Sequence, residues 1–184
     1  KVYGFGSVDY QIANLNVVEG AFQFDWNNHT DLQLMLPGKH NVENACAALS
    51  AGAEIGVDLT AEVATFKGVK RRFERVFESD SKVVIDDYAH HPKEIEAAVN
   101  AARMLFPTQK LAVVFQPHLF TRTRDLEADF VASLSLADEV VLLPFYPARE
   151  EPIEGVSSAN LLKNLPLKTK HLVEKSHLVN TVLS

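Results

Sequence analysis

The chain has 184 residues, 47% of them hydrophobic, which is enough for one large core or two small ones and too apolar for intrinsic disorder. A formal net charge of −6 argues against general nucleic-acid or membrane-surface binding, though not against a small anion held in a local positive field. The lone cysteine, Cys46, rules out an internal disulfide, fits a reducing compartment, and reads as core because its neighbours are alanine-rich and apolar. No apolar run approaches membrane-spanning length and no signal peptide is read, so a cytoplasmic setting is expected.

The opening "KVYGFGSVDY" lacks Met and already alternates like a strand, so the chain is expected to lie within a larger protein. Residues 1–36 read as β structure: "IANLNVV", "AFQFDW" and "TDLQLML" are separated by turn signals at Glu19-Gly20 and Asn27-Asn28. A helix follows, with Val42, Ala45, Cys46, Leu49 and Ala53 at helical spacing and Gly56 as its stop. Thr60 is the expected cap of a short helix, "AEVATF", and a domain boundary is placed near Gly68.

From Lys70 the pattern changes. "RVFES" and "KVVID" read as a hairpin around Asp80-Ser81, and Pro92 opens a helix whose apolar stripe is Ile95, Ala98, Val99, Ala102 and Leu105. "KLAVVF" reads as a strand buried on both faces. A helix around Asp125–Leu136 turns Leu126, Phe130, Val131 and Leu134 inward; "EVVLLP", "SSANLLKNL", "KHLVE" and "SHLVNTVL" continue the strand–helix alternation. This pattern predicts an α/β fold with a mainly parallel sheet.

Ligands of such sheets gather at the carboxyl ends of strands. Three polar, aromatic and proline-rich loops are predicted to leave one edge of one sheet: "DDYAHHP", "QPHLFTRTRD" and "PFYPAREEP". In the first, His90 and His91 are adjacent and point to opposite sides, so they do not readily share a metal, and no metal site is assigned. Asp86, Asp87 or His91 could instead cap the helix at Pro92, whose open N–H groups could also receive an anion. Arg122 and Arg124, near a helix start, oppose its dipole, which points either to an anion contact or to ordinary solvated cations. Lys70-Arg71-Arg72-Phe73-Glu74 is either a surface charge run or part of an interdomain ligand site. In "GKHNVEN", Asn41 is either a helix cap or, with Asn44 and His40, a reader of adenine. The phosphate-binding pattern Gly-x-x-x-x-Gly-Lys-Ser/Thr fails, because Gly38-Lys39 is followed by His40 and preceded, five positions back, by Gln33.

"GKHNVENACAAL", "GVKRRFE", "DDYAHHPKEI", "QPHLFTRTRDL" and "PFYPAREEPIEGV" stand in the order and spacing of the Mur ligases, and the chain resembles that family from about Pro37 to Val156. Within it, the likeness is greatest to members that add L-alanine to UDP-N-acetylmuramate in peptidoglycan precursor synthesis. The resemblance implies that residues 1–68 are the tail of a central ATP-binding domain. Residues 69–184 would be most of a Rossmann-like C-terminal domain, with a last strand beyond Ser184. The sugar-binding domain, the P-loop and the Mg²⁺ ligands would precede Lys1, and the isolated chain would be inactive.

By resemblance, Asn41 and Asn44, with His40 beside them, read adenine. Arg72 reaches the nucleotide and Asp87 holds the ribose, while Tyr88 and His90 close over the reacting groups. His118 and Arg122 face the acyl phosphate or the amino-acid carboxylate. Leu119 stands where some members carry arginine, so Arg122, or Arg149 from the third loop, must carry more of the charge. The implied ligands are ATP with Mg²⁺, UDP-N-acetylmuramate and L-alanine, with no nucleic acid and no membrane. Two other readings stay open: a sister ligase attaching a recycled tripeptide, and a non-catalytic nucleotide-binding module.

Overall fold

The computed structural model describes residues 2–6, 8–18, 21–36 and 38–183. These fall into two compact units: residues 1–88 with 100–107, and residues 89–99 with 108–184. The expected Glu19-Gly20 turn lies outside the described residues.

The first unit opens with β1 (Tyr3–Phe5), β2 (Tyr10–Val18), β3 (Ala21–Trp26) and β4 (His29–Leu34), paired in that order in a four-stranded sheet. β1 runs parallel to β2, and the other pairs are antiparallel. Side chains alternate across a strand, so Phe22, Phe24 and Trp26 all point to one face and are buried. Helix α1 (Lys39–Glu54) lays Val42, Cys46 and Leu49 on the core that they form with Ile12 and Leu34. Fully burying each such phenylalanine contributes about 1.5–3 kcal/mol.

Two sequence expectations change here. Ala53 is exposed and Gly52 is buried in its place. A Cβ on Gly52 would stand 2.8 Å from the Val57 carbonyl, so only glycine lets the returning chain pack so close. Thr60 is the first residue of α2 (Thr60–Thr65) and not its cap. Its N–H and hydroxyl instead donate to Asp58 Oδ1, at 2.9 and 2.8 Å.

The unit continues with the hairpin of β5 (Glu74–Glu78) and β6 (Val83–Asp86), an antiparallel two-stranded sheet of its own. Helix α3 (Pro92–Leu105) begins at the predicted proline and is divided between the two units after Val99.

The second unit holds β7 (Ala112–Phe115), α4 (Phe120–Asp125), α5 (Glu127–Leu134), β8 (Glu139–Leu142), α6 (Ser158–Asn164), β9 (Thr169–Leu172), a single 3₁₀ turn at Lys175–His177, and α7 (Leu178–Leu183). Strands β7, β8 and β9 are parallel in that order. Ile95, Val99, Phe115, Phe130, Leu134, Val140, Leu142 and Leu161 form the core.

The strand buried on both faces is β8, with Val140, Val141 and Leu142 all enclosed, and not β7 as expected. As the edge of its sheet, β7 leaves Val114 41% exposed. The helix expected around Asp125–Leu136 is α5, and part of the predicted loop "QPHLFTRTRD" is itself helical as α4; Leu126, at φ −120° and ψ 22°, separates the two. The three polar loops do not leave one sheet: "DDYAHHP" follows β6, which pairs with β5, whereas the other two follow the neighbouring strands β7 and β8. Among the described residues no helix is long and apolar enough to cross a membrane.

Candidate functional site

In the first unit, α1 presents His40, Asn41 and Asn44 in its opening turns. His40 and Asn44 are exposed and Asn41 is half-buried. Asn41 is not the cap: Gly38 is, at φ 100°, and no side chain caps the helix. Asn41 N–H donates to the Gly38 carbonyl at 2.9 Å. A Cβ on Gly38 would lie 2.6 Å from His40 Cε1, so the glycine lets the imidazole fold over the helix start.

The basic run Lys70–Glu74 is not a loose charged surface. Arg71 and Phe73 sit in the left-handed region, at φ 60° and 53°. Asp87 Oδ2 accepts the Phe73 N–H at 2.8 Å, Tyr88 N–H donates to the Arg71 carbonyl at 2.8 Å, and Arg71 N–H donates to Glu74 Oε2 at 2.9 Å. The Arg71 and Arg72 guanidinium carbons stand 4.7 and 5.9 Å from the Tyr88 ring centroid. The Arg71–Asp86 pair, 3.9 Å apart and largely exposed, adds little to stability. Arg72, Asp87 and Tyr88 are thereby brought together, with Asp87 as the backbone anchor.

In the second unit, the start of α3 is closed by its own side chains. Glu94 Oε2 accepts the N–H groups of His90 and His91, at 2.9 and 3.2 Å, and lies 3.3 Å from His90 Nδ1. His91 Nδ1 accepts the Lys93 N–H at 3.3 Å, so of the capping alternatives it is His91 that faces the helix. The negative group near these N–H groups is Glu94; no outside anion is needed to explain them. Arg122 Nη1 donates to the His90 carbonyl at 3.3 Å and joins the "QPHLFTRTRD" loop to "AHHP".

In the six-residue α4 Arg122 is the third residue, within the first turn as well as the last, and Arg124 is the fifth, in the last turn, where the dipole favours a cation. Arg124 turns to its neighbour Asp125, at 2.8 Å, while Arg122 faces His90. Arg149 is exposed.

The loops after β7 and β8 are zipped together beyond the strands. His118 and Tyr146 form a parallel bridge, Tyr146 N–H donates to the Pro117 carbonyl at 2.9 Å, and Gln116 Nε2 donates to the Pro144 carbonyl at 3.0 Å. The His118 and Tyr146 rings stack at 5.5 Å, and those of Phe120 and Phe145 at 4.5 Å. Glu150 accepts from Thr121 N–H at 3.0 Å and from its hydroxyl at 2.5 Å. That hydroxyl and N–H hold the Glu150 carboxyl below the ordinary range, helped by the field of Arg122.

Glu94, Tyr146 and Glu150 were not singled out from the sequence. The spacing His91-x-x-Glu94 is a capping-box pattern with histidine in place of serine, and could have found Glu94. Nothing local marks Glu150, which meets its partner 29 residues away. Among the described residues no group of three or more His, Cys, Asp or Glu is arranged to hold a metal ion.

A family model described as "Mur ligase, glutamate ligase domain" matches residues 71–183. The chain is 48% identical over 177 residues to the UDP-N-acetylmuramate–L-alanine ligase of Christiangramia forsetii, covering 92% of this chain and 39% of that protein. It is 46% identical over 181 residues to the same-named ligase of Cytophaga hutchinsonii, covering 93% and 38%. The crystal structure of UDP-N-acetylmuramate-alanine ligase MurC from Thermotoga maritima matches with a TM-score of 0.75 and 30% identity, over 99% of this chain and 41% of that one. The MurF ligase of Thermotoga maritima in complex with ADP shares the fold, with a TM-score of 0.69 and 18% identity, over 98% and 41%. The chain spans about two fifths of the length of the curated relatives it matches.

Proposed function

The chain belongs to the Mur ligase family, and from that premise we propose that it serves an ATP-dependent ligase joining L-alanine to UDP-N-acetylmuramate. The observation that carries this reading is the 48% identity, over 92% of the chain, to a ligase of that name. In this reading residues 1–68 complete a central ATP-binding domain, residues 69–184 form the C-terminal domain, and the protein works in the cytoplasm on peptidoglycan precursors.

The residues have chemistry suited to these roles. Asn41 and Asn44 carry amides that donate and accept together, as an adenine edge requires, with His40 beside them. Asp87 offers a carboxylate to ribose hydroxyls, and Arg72 a guanidinium to phosphate oxygens. No stretch of residues 1–184 has the P-loop pattern. The described residues offer no Mg²⁺ cluster. In this proposal the phosphate cradle and the metal ligands are therefore not among these residues, and no step is assigned to the metal here.

The muramyl carboxylate attacks the γ-phosphorus of ATP, giving an acyl phosphate and ADP. The amine of L-alanine attacks the acyl carbon, a tetrahedral oxyanion forms, and its collapse releases phosphate. Both steps gather negative charge, which a preorganised cation stabilises. A guanidinium has five N–H donors, so Arg122 can hold the His90 carbonyl and still face an oxyanion or carboxylate. In this reading His90, which lies beside Glu94, and Tyr88 serve the reacting groups, and His118, stacked on Tyr146, serves the acceptor.

The test is amide formation by the complete gene product with ATP and UDP-N-acetylmuramate, offering L-alanine or the tripeptide as acceptor. Preference for L-alanine is expected, with Arg122→Ala lowering kcat by about 10²–10³-fold. Preference for the tripeptide, no ligation, or a near-normal Arg122→Ala rate would overturn the reading.

A further inference from the structure

We propose that Glu150 is a positioning residue for Arg122: by clamping Thr121 from the next loop, it sets the direction in which the neighbouring guanidinium points. The inference rests on the functional reading above and adds to it a residue that touches no substrate.

Three observations carry it. Helix α4 has six residues, too few to be stable by itself, and its N-cap, Leu119, has no capping hydrogen bond and lies at φ 70°. The first N–H groups of any helix lack partners within it, and here Glu150 takes that of Thr121 together with the Thr121 hydroxyl. Glu150 itself sits on a loop that Tyr146 and Phe145 pin to the β7 side by ring stacking and backbone pairing. The clamp therefore has a fixed anchor, and Arg122, the next residue along, is held where it reaches the His90 carbonyl. A bare carboxylate beside a site for anions would repel them. With both oxygens engaged by Thr121, Glu150 is accounted for as a clamp.

Glu150→Gln removes the charge and one acceptor oxygen, so two charge-assisted bonds from Thr121 become one neutral bond from its N–H and one in which the hydroxyl must accept from the new amide, which loosens the clamp. In the complete gene product we expect kcat to fall about tenfold with the KM for ATP unchanged. Thr121→Val should do the same, and the two together should be no worse than either alone. In an Arg122→Ala background, Glu150→Gln should cost nothing further, although melting temperature falls in both backgrounds. Glu151→Gln is the control. An equal loss of kcat with and without Arg122 would make Glu150 merely structural and overturn the proposal.

A readout independent of turnover is the Arg122 Nε–H resonance in arginine-labelled protein. It should shift or broaden in Glu150→Gln and stay unchanged in Glu151→Gln; no change in the former would also overturn the proposal. If the unaltered protein shows no ligation, the functional reading fails, and the Arg122 resonance alone then decides whether Glu150 positions that side chain.

Discussion

Replacing Asp87 by alanine tests how far its side chain anchors the basic run. Asp87 Oδ2 accepts the Phe73 N–H at 2.8 Å, and Phe73 is only 4% exposed, so water cannot easily replace the lost acceptor. An unpaired buried N–H costs about 1–3 kcal/mol. Arg71 and Phe73 also hold left-handed dihedrals, at φ 60° and 53°, which disfavour non-glycine residues by about 1–2 kcal/mol each and relax once the anchor goes. A loss of about 2 kcal/mol corresponds to roughly 30-fold faster opening. Hydrogen–deuterium exchange of peptides covering residues 70–78, in the complete gene product, reads this directly. Asp87→Asn keeps an acceptor oxygen and should stay within a few-fold of the unaltered protein. Unchanged exchange in Asp87→Ala, or equal acceleration in Asp87→Asn, would refute the assignment of Asp87 as the anchor.

Other expectations are as specific. Gly38→Ala places a Cβ against the His40 ring at a φ of 100°; it should weaken ADP binding about fivefold, near 1 kcal/mol, by calorimetry, and unchanged affinity would remove His40 from the nucleotide site. The carboxyls of Asp58, bonded to the Thr60 N–H and hydroxyl, and of Glu150, bonded to Thr121, are held below their ordinary values in the fold. Their contribution is complete above the unfolded-state values and disappears as pH falls through the folded-state ones, so urea midpoints should drop from about pH 5 downwards. Asp58→Asn should flatten part of that slope, and an identical slope would show that Asp58 plays no part in it.

Much of the fold was legible because burial repeats with the period of the element. Phe22, Phe24 and Trp26 alternate, and their strand lies where the alternation put it. Ile95, Val99 and Ala102 recur at helical spacing behind Pro92, and their helix begins there. The misses have different causes. "KLAVVF" has the composition of a central strand, yet whether a strand is central depends on its neighbours, and β7 has β8 on one side only within its sheet. The helix expected around Asp125 is α5, but α4 before it was read as loop, because its six residues carry no apolar stripe and end at Leu126, which leaves helical dihedrals. Arg122 lies in the first turn of α4, near the helix start where it was expected, whereas Arg124, two residues on, falls in the last turn because α4 ends at Asp125.

What the amino-acid order by itself determined was the kind of most elements, the family motifs and the residue types able to handle nucleotide and charge. What only the tertiary structure decided was partnership: Glu150 on Thr121, Arg122 on the His90 carbonyl, Asp87 on the Phe73 N–H, Tyr146 on His118. The physical reason is range. Periodicity is a short-range signal written within one turn or strand, whereas a hydrogen bond across 14, 29 or 32 residues exists only once the chain has returned to bring donor and acceptor within about 3 Å.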